Sequence, residues 1–514
     1  MPYCRITTPW RLEGGGSFNQ RSYREVTAHV AFCLVLSWVM MPKKSKNAVK
    51  RTNGTAEEEE TVPSKRAAEV ECPLTFHSPA ELFASLIAPL SPEQFFSEYW
   101  EQKPVHLRRD EPGVAQYYWS LFSLSDLPDL CSHDLEFYRD VNVVRCINGK
   151  KKVLNKTGKV KYPALHKLIT QNKATVQFHQ PQRFKDELWR VQERLESFFG
   201  ALVGSNVYMT PEDSQGLPAH YDDVEVFILQ LEGQKHWRLY TPTVPLASDY
   251  SLVPEDQLGS PTHDILLQEG DLLYFPRGTI HQANTLPGHH STHLTLSTYQ
   301  NMSWSDLLLD VLPGFLSESS RTDTHLRQGM PSRVLLGGCD NAGLRNQMAA
   351  RLRHLADRIE TGTGEMCSAS LKRDFIMNRL PPHCPEEQLN PVGRLPQLHD
   401  TVSLTFREHV LLTVEPKHRT TDESPEMAVF VLHSLRNQRS HHMMSQGPQE
   451  SEGPEDEEGL HVSAGLQFPL SHLGALQQLQ KEEQLPVTDL LLPGPEEQLS
   501  LVVALWSESL LKAL

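Results

Sequence analysis

The chain has 514 residues, 39% of them hydrophobic and 22% charged, with a formal net charge of −15 at pH 7. Such numbers describe a largely globular, soluble chain of two to four domains with flexible pieces. They exclude non-specific nucleic-acid binding by the whole surface and suit a basic protein partner better.

The segment "AHVAFCLVLSWVM" (28–40) has the character of a signal-peptide core and is too short for a membrane-spanning helix. Directly after it, "MPKKSKNAVKR" (41–51) reads as a fresh start. Residues 1–40 are therefore expected to be a non-native or alternative-start extension. Eight cysteines without a CxxC pair favour a reducing compartment over a secreted disulfide framework.

Residues 41–71 mix lysines with Glu57–Glu60 and bury too little apolar surface to fold. The basic run is either a nuclear address or an ordinary solvated tail. From residue 78, "SPAELFASLIAPLSPEQFFSEYWEQKPVHLRRD" opens with Ser-Pro starts and helical apolar spacing. Residues 174–300 then hold short alternating runs, among them "ATVQFHQ", "VEVFILQL", "KHWRLY", "DLLYFP" and "THLTLSTY". Strands this closely spaced predict a sandwich or barrel.

After Trp304 the spacing turns helical. Leu344, Met348, Leu352, Leu355 and Ile359 form one stripe, to be packed on its own domain or a second subunit. The Pro-rich stretch 380–396 reads as a boundary. Beyond it come the strand-like runs "VSLTF", "HVLLTV" and "MAVFVLH" and helices near 470–480 and 497–513. Residues 445–459 are acidic, low in complexity and expected to be disordered. From 391 to the end there are eight Lys/Arg against eighteen Asp/Glu, which argues against DNA binding by this part.

The chemistry concentrates in two places. In a strand, residues i and i+2 share a face, so His220 and Asp222 of "AHYDDVEV" can aim at one point, with Tyr221 and Asp223 opposite. A bulge at the strand entrance would reverse that choice. The second place is "EGDLLYFPRGTIHQA" (269–283): a Gly-Asp turn, a strand, a second turn, then His281 entering the next strand. A barrel brings such strand ends together at one rim. Two histidines and one carboxylate leave positions open on a metal, the pattern of non-haem Fe(II) oxygenases, whereas thiolates would have indicated structural zinc. Lys235, near the start of "KHWRLY", is either an exposed turn lysine or a buried cation that needs an anion; the distal carboxylate of 2-oxoglutarate would supply one.

The stretches "WEQKPVHLRR", "VNVVRCINGKKKVLNK", "FHQPQRFKDELWR", "GSNVYMTPEDSQGLPAHYDDVEVFILQLEGQKHWRLY" and "GDLLYFPRGTIHQA" together resemble the JmjC-type ribosomal oxygenases. The likeness runs from Met41 to the C-terminus. It implies an α+β chain: a JmjC domain over 72–304 with a double-stranded β-helix (cupin) core at about 174–300, a helical dimerisation region over 305–379, and a winged-helix-like domain over 380–514. It implies an Fe(II)- and 2-oxoglutarate-dependent dioxygenase that hydroxylates a histidine of a basic large-subunit ribosomal protein. A histone-lysine demethylase acting on histone tails, or a non-catalytic ribosome-assembly or chromatin scaffold, is the alternative. By the same resemblance His220, Asp222 and His281 hold the metal and Lys235 pairs with the cosubstrate. Asn206, Tyr208, Gln180 and His293 surround that cosubstrate, while Asn142, Gln177 and Ser297 contact the substrate histidine. A homodimer located in the nucleus and nucleolus, with no membrane contact, completes the expectation.

Overall fold

The computed structural model describes residues 72–514 other than 112, 333, 335–340, 363–367, 369, 418–425 and 445–464. The expected extension 1–40, the tail 41–71 and the acidic loop 445–459 lie outside the described residues.

Two Ser-Pro pairs start the fold as the sequence predicts. Ser78 and Ser91 cap helices Pro79–Leu86 and Pro92–Glu98, each hydroxyl accepting the N–H three residues on, with proline at the first helical position. Both helices deliver aromatic rings inward. Phe83 stacks on Phe198 of helix Asp186–Phe199 at 4.3 Å, and Phe95 meets Tyr274 edge-on at 4.9 Å.

Thirteen strands precede Trp304 among the described residues. The first are β1 (Val105–Leu107), β2 (Val141–Ile147), β3 (Lys150–Val153), β4 (Thr175–His179) and β5 (Val203–Thr210). Then come β6 (His220–Tyr221), β7 (Glu225–Gly233), β8 (Lys235–Tyr240), β9 (Ser251–Leu252), β10 (His263–Leu267), β11 (Leu272–Phe275), β12 (Ile280–Asn284) and β13 (Ser291–Thr298). Eight form an antiparallel sheet in the order β1-β11-β7-β13-β5-β4-β2-β3, and five form a second in the order β10-β8-β12-β6-β9. These two antiparallel sheets are the strand-rich core expected over residues 174–300, extended by β1–β3.

Strand β7 shows why the predicted alternation is blurred in "VEVFILQL". Val226 and Ile228 pack with Trp237, Leu239, Leu267, Leu273 and Phe275 between the two sheets. Phe227, Leu229 and Leu231 pack outward into the cluster made with the flanking helices. A strand covered on both faces is apolar at consecutive positions, as Val226–Leu229 are.

After the core, helix Trp304–Thr322 starts at a capping box in which Ser303 and Asp306 satisfy each other's backbone N–H. Helices Asn341–Glu360 and Ser370–Asn378 follow. The apolar stripe on the first of these is divided: Leu355 is buried, whereas Met348 and Leu352 stand exposed. The remaining strands are β14 (Thr401–Leu404), β15 (Val410–Pro416), β16 (Met427–His433), β17 (Gly465–Pro469), β18 (Leu485–Pro486) and β19 (Leu511–Ala513). They make two three-stranded sheets, β18-β14-β19 and β15-β16-β17, whose core is shared with helices Leu473–Lys481 and Pro495–Ser507.

The Pro-rich stretch 380–396 begins in a buried seat rather than as a free loop. Leu380 N–H donates to Glu196 Oε2 at 2.8 Å, and Trp189 Nε1 donates to the Pro381 carbonyl at 2.9 Å. Two buried histidine–carboxylate hydrogen bonds reinforce this seam, His409 with Glu193 at 2.7 Å and His442 with Glu196 at 2.8 Å. The C-terminal part is thereby held on helix Asp186–Phe199, directly behind the large sheet.

Candidate metal centre

The pleat brings His220 and Asp222 to one point, and antiparallel pairing supplies the third group. Strand β12 pairs with β6 in a register that sets His281 opposite His220, and their rings lie 4.2 Å apart. One ligand atom from each of His220, Asp222 and His281 lies within 4.8 Å of the others. His220 Nε2 is 4.0 Å from Asp222 Oδ1, and His281 Nε2 is 3.5 Å from Asp222 Oδ2. The neighbouring Asp223 faces away and accepts from Gln300 Nε2 at 2.8 Å. Asp222, the residue directly after β6 ends, is thus the carboxylate that reaches the histidines, and Asp223 is not.

Backbone carbonyls orient both imidazoles. His220 Nδ1 donates to Pro218 O at 2.9 Å and His281 Nδ1 donates to Thr279 O at 3.0 Å. Each ring is thus fixed in the tautomer whose Nε2 lone pair is free for a metal. Burial and the neighbouring His220 hold His281 well below the usual histidine range, which keeps it an electron-pair donor. Burial pushes the Asp222 carboxyl up, and His220 opposes that shift. Gly278 sets the approach of this rim: its φ is +83°, its N–H donates to the Asp222 carbonyl at 2.9 Å, and a Cβ there would lie 2.2 Å from the Val244 carbonyl oxygen.

The three groups line a cavity with about 500 Å³ of empty space. Its other walls include Thr175, Tyr208, Val226, Ile228, Lys235, Trp237, His293 and Thr295. Lys235 is 4% exposed. Its Nζ donates to Thr210 Oγ1 at 3.1 Å and lies 3.4 Å from His293 Nδ1. It makes no ion pair among the described residues, and burial holds its amine down to about 7. His293, stacked on Tyr208 at 5.0 Å, is held well below its usual range by burial and by Lys235.

This donor set fits Fe(II) with a keto-acid cosubstrate. Two imidazoles and one carboxylate suit a six-coordinate ferrous ion with open positions, and no thiol lies in the cavity wall among the described residues. A buried amine with no carboxylate partner among the described residues is the complement of a ligand carboxylate.

The remaining predicted residues fall on the inward face of the large sheet or just beyond it. Register places Asn142 beside Gln177, Gln177 beside Tyr208, and Tyr208 beside His293, one row across β2, β4, β5 and β13. Gln177 Nε2 donates to Tyr208 Oη at 3.0 Å. Asn206 lies in the next row, where its Oδ1 accepts from His179 Nδ1 at 2.8 Å. The other ring nitrogen of His179 accepts from Asn142 Nδ2 at 2.9 Å, which leaves Asn142 Oδ1 buried with no partner among the described residues. Ser297, a row further, pairs in register with Gly204. Gln180 lies outside the cavity wall. At φ +51° the chain turns off the face of β4, and the Gln180 amide oxygen is taken by the backbone of Ser205 and by Gln182. Thr210, His179 and Trp237 were not singled out from the sequence. Strand parity with Tyr208, Gln177 and Lys235 was the signal that marked them.

A JmjC domain model matches residues 177–306. Ribosomal oxygenase 2 of Rattus norvegicus is 53% identical over 92% of this chain and all of its own length. The Bos taurus protein of the same name is 52% identical, again over 92% of this chain and all of its own length. The chain belongs to the ribosomal oxygenase family. A further relative, the bifunctional lysine-specific demethylase and histidyl-hydroxylase NO66 of Aedes aegypti, is 34% identical over 59% of this chain and 49% of its own length. This ribosomal oxygenase family member is accordingly a JmjC-type 2-oxoglutarate-dependent oxygenase, using Fe(II), 2-oxoglutarate and dioxygen.

Proposed function

We propose that this enzyme hydroxylates a histidine side chain of a basic ribosomal protein. The observation that carries the reading is the His220–Asp222–His281 cluster opening on a cavity also lined by Lys235, which makes no ion pair among the described residues. In it, His220, Asp222 and His281 hold the iron, and Lys235 with Thr210 receives the distal carboxylate of 2-oxoglutarate. Iron loaded with cosubstrate and dioxygen supplies the oxidising power to hydroxylate an unactivated C–H bond.

The protein's own part is placement. Tyr208 and His293 pack beside the cosubstrate chain, and Trp237 and Ile228 keep water from its flank. Asn142 and Gln177 continue the row of Tyr208 and His293 beyond the cavity wall, and their amides match the donor and acceptor of an imidazole. Asn142 Oδ1 has no partner among the described residues and is suited to accept the imidazole N–H. A methylated ammonium would call instead for an aromatic cage, which this row does not form. The reading also draws on the histidyl-hydroxylase name of the Aedes aegypti relative.

The proposal extends to the rest of the chain. Trp304 (79% exposed), Leu309 (69%) and Leu352 (60%) leave large apolar side chains uncovered on two helices, which supports a homodimer built on 305–379. The acidic C-terminal part is read as a winged-helix-like, protein-binding domain without DNA contact. Nuclear and nucleolar residence is proposed with the ribosomal substrate.

The experiment is direct. Purified enzyme with Fe(II) and 2-oxoglutarate should add one oxygen to a histidine in basic ribosomal-protein peptides, with stoichiometric succinate. Formaldehyde release from methylated histone peptides, without histidine oxidation, would overturn the assignment in favour of demethylation. No turnover from folded, iron-loaded protein would favour a scaffold.

A further inference from the structure

Residues 141–173 contain nine Lys/Arg and no Asp or Glu, in a chain whose net charge is −15. The segment is folded: it is the β2–β3 hairpin, the loop after it and helix Tyr162–Asn172. Two of the nine charges are neutralised within the protein. Lys159 pairs with Asp134 and Glu136, each at 2.7 Å, and Lys173 pairs with Glu212 at 2.6 Å. Arg145 is spent on the helix end, donating to the Asn172 carbonyl at 2.8 Å. Lys150, Lys152, Lys156, Lys161 and Lys167 are exposed and make no ion pair among the described residues.

Lysines on an edge strand often serve only to block edge-to-edge pairing, and β3 is the edge of the large sheet. That accounts for Lys150 and Lys152. It does not account for Lys156 in the loop or for Lys161 and Lys167 at and on the helix. Register sets Arg145 beside Lys152 and Ile147 beside Lys150, so the two edge lysines share the outward face, roughly 7 Å apart by strand rise. Lys151 turns the other way, toward His179.

We infer that this basic lobe is a docking surface for the phosphate backbone of RNA. The inference rests on the proposed ribosomal substrate. A basic ribosomal protein is repelled by the lobe, whereas the RNA to which such a protein is bound is attracted. Asn142, in the first strand of the hairpin, belongs to the row that runs through Gln177 to Tyr208 and His293 of the cavity wall, which joins the lobe to the proposed substrate row. Point charges spaced along a strand, loop and helix suit a polyanion read without sequence preference.

The test uses the full chain and a fluorescein-labelled single-stranded RNA of mixed sequence, with anisotropy followed across a salt series. Wild type is expected to bind with a steep salt dependence. Lys150→Gln, Lys152→Gln, Lys156→Gln and Lys167→Gln combined should weaken binding by on the order of 10-fold or more and lower the log–log salt slope by about 3. The same four positions changed to Arg should retain binding. Failure of wild type to bind RNA, an unchanged slope in the glutamine variant, or equal competition by phosphatidylserine vesicles would each overturn the inference. The measurement needs neither iron nor cosubstrate. RNA binding can therefore fail while peptide-histidine oxidation succeeds, and the reverse.

Discussion

Replacing Lys235 with methionine removes a charge while keeping most of the side-chain volume, and the structure sets the size of the effect. The amine is 4% exposed, its contacts are a hydroxyl and a neutral imidazole, and burial lowers it from 10.5 to about 7. That depression corresponds to roughly 5 kcal/mol against the charged form in the unliganded enzyme. Between pH 7 and 10.5 the unfolded chain binds this proton and the folded chain does not. Unliganded wild type should therefore gain stability as pH rises through that window, and the methionine variant should lack that gain. A ligand carboxylate restores the charge, so 2-oxoglutarate binding above pH 7 takes up a proton. Apparent affinity should then fall by about 10-fold per pH unit until the complex itself titrates. Loss of the charge-assisted contact should weaken binding at pH 7 by about 1.5–3 kcal/mol, roughly 10- to 150-fold. Isothermal titration in two buffers of different ionisation enthalpy measures affinity and proton uptake together. Equal affinity and equal proton uptake in wild type and variant would refute the role given to Lys235.

Asp222→Ala should abolish iron loading and turnover with little change in Tm, whereas Asp223→Ala, which only frees Gln300, should retain activity; an active Asp222→Ala enzyme would mean that the other carboxylate is the ligand. His179→Phe should release Asn142 and raise KM for the peptide by about 10-fold, with substrate-free 2-oxoglutarate consumption unchanged. The same change made in an Asn142→Ala background should cost nothing further, and an additive loss would show that His179 acts elsewhere. Gly278→Ala meets both a φ of +83° and the Val244 carbonyl at 2.2 Å, so thermal melts should show about 2 kcal/mol or more of destabilisation with weakened iron binding. A Tm equal to that of wild type would remove the glycine from this account. Glu193→Leu strands His409 and Arg379 in a buried seam and should cost about 3–5 kcal/mol in denaturant unfolding, and an unchanged midpoint would show that the seam relaxes.

Much of this was legible in the linear chain because it rests on short-range geometry. The pleat alone puts His220 and Asp222 on one face, Ser-Pro starts two helices, and "GDLLYFP" and "KHWRLY" announce their own strands. The excess of lysine over 141–173 is likewise a property of the sequence. Other features depended on register between strands far apart in sequence. His281 reaches His220 across sixty-one residues only because β12 pairs with both β8 and β6. The row Asn142–Gln177–Tyr208–His293 exists only once four strands align, and no local pattern reveals that Asn142 keeps an unpaired oxygen. Gln180 shows the limit from the other side. Adjacent in sequence to a site strand, it is turned off the sheet by a left-handed backbone that propensity does not foretell. Periodicity and residue chemistry are carried by neighbours a few bonds apart and can be read directly, whereas cross-strand pairing, burial of Lys235 and the seam on helix Asp186–Phe199 arise only when distant segments compete for the same core.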